Sequence, residues 1–204
     1  MEINLFRPVG LYELALMWDR KMREFPPRLA HQPIFYPVAI AEYARQIARD
    51  WNTSDEKSGF GGFVTAFSVD VNYLSKFEQR KVGSAQHIEY WIPAEDLNSF
   101  NKAICRQISL VEGYFGPNFT GHAPASGKLG GKDAVAQFLY LTKTLREAGS
   151  HSELFFDTKA IFLNWLFWRR YDFSGYGVSY PQRDLVLDAT KRRWELARIE
   201  VRLP

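Results

Sequence analysis

Along the first half of the chain the spacing of apolar residues changes period several times, and each change predicts an element. Residues 4–8 read as a short strand. After Gly10, the positions Leu11, Leu14 and Trp18 fall three and four apart, the spacing that lines one face of a helix. Pro26 and Pro27 stop any helix, because proline lacks the amide proton and restricts the residue before it. A second short strand is expected at 34–38, followed by a helix over 39–51 in which Tyr43, Ile47 and Trp51 recur every four residues and pack against a sheet. Residues 60–71 predict a strand, with Gly61 and Gly62 marking a bulge or a close backbone approach. In residues 87–92, strict alternation puts Ile88, Tyr90 and Ile92 on one face and His87, Glu89 and Trp91 on the other. Pro93 and the acidic residues after it have the character of a helix start, and 107–112 predicts a closing strand.

Glycine, proline and small polar residues then crowd the stretch from Gly113 to Gly131, the composition of a domain boundary. The expectation is an α+β module over residues 1–116 and a small all-helical module over 131–204, with helices at 132–148, 152–170 and 181–197. The most apolar run, from Ala160 to Trp168, is about half the length a bilayer span needs and reads as a buried helix, so no membrane association is expected. The aromatic residues of that region, among them Phe155, Phe156, Phe162, Trp165, Phe167, Trp168 and Tyr171, read as packing between helices, with a partner groove or base-stacking surface as the alternative.

Composition narrows the setting. Cys105 is the sole cysteine among 204 residues, which excludes an intramolecular disulfide framework and a cysteine-rich zinc site. The sequence begins without a basic and apolar leader, and a reducing cytoplasm is the expected location. The net charge of +3 is weaker than that of a dedicated nucleic-acid binder, and its excess lies at Arg169-Arg170 and Lys191-Arg192-Arg193. Those runs read as a solvated helix face or as a contact for an anionic partner.

Familiar catalytic signatures are absent. Residues 127–132 share the glycine and lysine content of a phosphate loop but lack its spacing and hydroxyl, and no strand leads into them. The four histidines, His31, His87, His122 and His151, show no zinc-ligand spacing, and no metal is expected. What remains is a set of polar residues in strands, Arg7, Tyr36 and Glu89, which are costly to bury unless paired and therefore line a cleft, face water or hold a structural partner.

Leu5-Phe6-Arg7-Pro8 before a helix, Phe35-Tyr36-Pro37-Val38 before a helix carrying Ala41, Ala44, Ala48 and Trp51, Phe63 to Phe67, and Glu89-Tyr90-Trp91-Ile92-Pro93 together resemble the ADP-ribosyltransferase superfamily over roughly residues 3–112. The resemblance implies a split sheet with flanking helices and NAD as substrate. It assigns Arg7 to ribose or pyrophosphate oxygens, Tyr36 to the nicotinamide ring, Thr65 loosely to the family's serine–threonine strand motif, and Glu89 to catalysis. It also implies that Arg7, Tyr36 and Glu89 converge on one cleft. His87 stands where many protein-modifying members carry Gln or Glu, which points away from arginine as acceptor, and its imidazole could bind the acceptor or serve as a base near neutral pH. The function implied is ADP-ribosyl transfer to a macromolecular acceptor, nucleic acid or protein, in a toxin or phage-defence setting, with the helical module recognising the target or a partner protein. The alternatives are a catalytically silent binding or regulatory subunit of the same fold, in a toxin-antitoxin or defence system, and the related RNA 2′-phosphotransferase chemistry.

Overall fold

The computed structural model describes residues 1–84, 86–148 and 157–204 and divides into two compact units, Met1–Phe119 and Thr120–Pro204. His151, Phe155, Phe156 and the start of the predicted helix at 152–170 lie outside the described residues.

The first unit is mixed α+β. Strand β1 (Glu2–Gly10) runs directly into helix α1 (Leu11–Asp19), whose Leu11, Leu14 and Met17 are buried. Next come a two-residue strand β2 (Ile34–Phe35), helix α2 (Ala41–Gln46), and strand β3 (Gly61–Asp70). The remainder is a single helical turn α3 (Val71–Leu74), strands β4 (Glu78–Lys81) and β5 (Ile88–Pro93), helix α4 (Leu97–Lys102) and strand β6 (Ser109–Phe115). All pairings are antiparallel and form two three-stranded sheets, β1-β3-β6 and β2-β5-β4.

Val38 joins the two sheets. Its backbone exchanges both hydrogen bonds with Phe6, at 2.9 and 2.8 Å, and it pairs on its other side with Glu89. On the N-terminal side of this join Pro37 has no N–H to give, and β2 leaves the neighbourhood of β1 while its pairing with β5 continues. The sheet therefore splits between β1 and β2 next to Arg7 and Tyr36.

Two cores form on the opposite faces of this layer. On one face Phe25, Phe35, Phe67 and Phe100 meet, with ring centroids 4.8 to 6.1 Å apart along the chain of contacts. On the other, Val38, Tyr43, Ala44, Ala48 and Val64 pack together with Phe6, Ile47 and Tyr114 against them. Here helix and strand approach closely: a Cβ added to Gly62 would lie 1.8 Å from the Ala48 carbonyl oxygen, which only glycine permits. The helical run continues past α2 as a π-helical turn, Ile47–Trp51. That wider turn carries Trp51 off the stripe of Tyr43 and Ile47, and it is 57% exposed rather than packed on the sheet.

The second unit is helical: α5 (Ala134–Ala148), α6 (Thr158–Arg170) and α7 (Tyr180–Leu196). Every residue of α6 from Ala160 to Trp168 is buried. Asn164, fully enclosed, accepts the His122 N–H at 2.9 Å and donates to the His122 carbonyl and to Gln137, so its polar atoms are satisfied inside the core. Trp165 and Trp168 are buried, and the Trp168 indole N–H donates to the Ala134 carbonyl oxygen at 2.7 Å. Their rings are core packing, not a surface for stacking bases. Arg169 and Arg170 are exposed at the end of α6, and Lys191 and Arg192 are exposed in the C-terminal half of α7.

Candidate active site

Glu89 is the second residue of β5, between Arg80 of β4 and Val38. Its carboxylate is buried, and each oxygen is held by a neutral donor. Oε1 accepts from the Tyr43 hydroxyl at 2.9 Å and Oε2 from the Trp91 indole N–H at 3.1 Å. These donors compensate the desolvation of a charge that, among the described residues, no cation neutralises directly. Burial, followed by the hydrogen bond to Glu89, raises the Tyr43 pKa to about 12, which keeps its hydroxyl a donor across the physiological range.

Three side chains extend this cluster. The His87 ring stacks on Tyr43 with centroids 4.1 Å apart. Its Nδ1 lies 3.1 Å from the Val82 carbonyl, which can only accept, so Nδ1 carries a proton; Nε2 meets the Gln46 side-chain amide at 3.0 Å. Tyr36 sets its ring edge-on to Trp91, 5.5 Å between centroids. Over the Trp91 ring, at 3.8 Å, lies the Arg80 guanidinium, itself paired with Glu78 at 2.6 Å.

His87, Glu89 and Trp91 thus share one face, and Tyr36 joins them through Trp91. Arg7 does not. Because Phe6, Val38 and Glu89 are paired across the join, they point to one side of the layer, and Arg7, one residue further along β1, points to the other. Its guanidinium forms a bidentate pair with Glu13 of α1, at 2.9 and 3.2 Å, and lies 4.5 Å over the Phe35 ring. A single bond crosses toward the Glu89 cluster, from Arg7 Nη1 to the Tyr36 carbonyl oxygen at 3.2 Å. Thr65 shares the Arg7 face, is fully buried, and donates its hydroxyl to the Arg7 carbonyl oxygen at 2.9 Å. That hydroxyl fixes the β1 backbone and is not open to a ligand.

The residues that sequence reasoning passed over are Tyr43, Arg80, Glu13 and Arg28, and Trp91 was given a face but no role. Trp91 carried a signal, since two residues along a strand share a face; Tyr43 carried a weaker one at the head of the alanine-rich helix. Arg28 carried none. It lies in the connection between α1 and β2, and its Nη1 is 3.9 Å from Glu13 Oε2. Burial, then the nearby Arg7, pushes its pKa down, partly opposed by Glu13 and Tyr36. Comparison of the chain with models of protein families, with curated proteins and with solved structures gave no match.

Proposed function

We propose that the first unit is an ADP-ribosyltransferase that cleaves NAD, with Glu89 as its catalytic carboxylate. The observation that supports this reading is a buried carboxylate without a cationic partner among the described residues, fixed by two neutral donors and flanked by the rings of Tyr36 and Trp91. The resemblance assigned this glutamate to that role, and the split between β1 and β2 beside it accords with the sheet the resemblance implies.

The chemistry suits these groups. Breaking the nicotinamide–ribose bond sends its electron pair to the pyridinium nitrogen, which leaves as neutral nicotinamide, while positive charge develops on the ribose. A preorganised carboxylate lowers that barrier electrostatically, and the acceptor closes the bond to ribose as its proton departs. Tyr43 and Trp91 hold Glu89 in one rotamer, so no reorganisation is needed as the charge forms. His87, with both ring nitrogens engaged and its face on Tyr43, braces the Tyr43–Glu89 bond; service as a base would require release from Gln46.

A second reading, a catalytically silent module of the same fold, draws on one observation: Arg7 is locked to Glu13 on the face away from Glu89. Labelled NAD separates the two. Incubation with a cell extract, followed by nuclease or protease digestion, should transfer label to one class of macromolecule. The absence of any transfer in extract, together with no free nicotinamide, would leave the silent module.

A further inference from the structure

Two arginines and one carboxylate meet between β1, α1 and the connection that follows it. Arg7 and Arg28 both address Glu13, and their side chains are only 8% and 11% exposed. Among the described residues, Arg28 Nε is the one buried side-chain nitrogen or oxygen with no hydrogen-bond partner. Glu13 spends its oxygens on Arg7 in a bidentate pair and reaches Arg28 only at 3.9 Å. Among the described residues Glu13 is the carboxylate that Arg28 meets, and no second one balances the second cation.

A fold that buries two guanidiniums against one carboxylate carries a surplus positive charge out of water and leaves an N–H without an acceptor, both of which cost stability. An anion with several oxygens would remove both costs, and the planar guanidinium is the group best matched to phosphate oxygens. Tyr36 ties this corner to the Glu89 cluster: its carbonyl takes the Arg7 bond and its ring meets Trp91.

We propose that Arg28 is a second binding residue for a phosphoryl anion beside Arg7, and, resting on the reading of the first unit as an NAD-cleaving enzyme, which already gives Arg7 to ribose or pyrophosphate oxygens, that the anion is the diphosphate of NAD. Glu13 orients the two guanidiniums, and the unused Arg28 Nε–H is the donor held for the ligand.

Calorimetric titration of the whole chain with inorganic pyrophosphate and with ADP-ribose, at fixed low ionic strength, tests this. Both should bind the wild-type protein, and Arg28→Gln should weaken both by about 10- to 100-fold, the loss of one charge-assisted hydrogen-bond pair. Arg28→Lys, which keeps the charge and loses the planar fork, should fall between. Because Arg28→Gln removes an unpartnered buried cation beside Arg7, it should melt no lower than the wild type; were it not to fold, affinity is read in Arg28→Lys. No binding of either probe by the wild type, or equal binding by the wild type and the Arg28 variants, overturns the site. Arg28-dependent binding of ADP-ribose without nicotinamide release from NAD would keep the site and remove the enzymatic reading. Nicotinamide release with a KM for NAD that Arg28→Gln leaves unchanged would do the reverse.

Discussion

Replacing Tyr43 with Phe deletes a single oxygen and tests whether the Glu89 carboxylate depends on it. The hydroxyl is 2.9 Å from Glu89 Oε1, and Tyr43 is 5% exposed, so solvent screens the bond little. Hydrogen bonds to charged groups contribute about 1.5–3 kcal/mol. Burial, more than this bond, raises the Tyr43 pKa from 10.0 to about 12, so the shift sets the pH window of the effect and not its size. The sign follows from proton binding. Between pH 10 and about 12 the folded protein keeps the Tyr43 proton that the unfolded chain has released, so this contribution is complete below pH 10 and is lost as pH rises toward 12. Above that, a phenolate would face the Glu89 carboxylate. Thermal denaturation of wild type and Tyr43→Phe from pH 7 to 12 isolates the effect, because all other alkaline titrations are common to both. At pH 7 the variant should melt about 3–10 °C lower, and the gap should close as pH passes 10. A gap absent at pH 7, or constant to pH 12, would refute the claim that Tyr43 anchors Glu89.

Two further substitutions probe the scaffold. Gly62→Ala would drive a methyl group to 1.8 Å from the Ala48 carbonyl, and the backbone shift required should cost about 3 kcal/mol or more in a urea titration; a cost below about 1 kcal/mol would contradict the close approach of helix and strand. In the second unit, Asn164→Ala leaves the His122 N–H without its acceptor and opens a cavity beside Gln137, and circular dichroism melting should show a loss of about 2–4 kcal/mol, with an unchanged melt counting against the buried network.

Much of the first unit was legible because its strands have distinct apolar patterns. β5 carries apolar residues at every second position, β1 does so except at Arg7, β3 is a nearly continuous buried run of small, aromatic and β-branched residues, and the shared face of His87, Glu89 and Trp91 follows from parity alone. β4 was not legible, since Glu78, Gln79, Arg80 and Lys81 have no apolar alternation; as an edge strand it presents charge to solvent and is held by pairing with β5. Trp51 misled for a different reason, because a π-helical turn adds a residue to one turn and no propensity announces it. The face taken by Arg7 is a relation between strands: it depends on the pairing of Phe6 with Val38 and of Val38 with Glu89, which periodicity within any single strand does not contain. The pairing of Arg28 with Glu13 depends on the path of the connection before β2, where Pro26 and Pro27 signal only that helix ends.

The central claim is that Glu89 is the group that lowers the barrier to cleaving the nicotinamide–ribose bond. Its most direct test is the rate of nicotinamide release from NAD, followed chromatographically for the wild type and Glu89→Gln at matched concentrations. The amide keeps the shape of the carboxylate and removes the charge that faces the developing cation. The account predicts measurable release by the wild type and a rate lower by about 100-fold or more in the variant, with NAD still bound. Equal rates in the two proteins would contradict it.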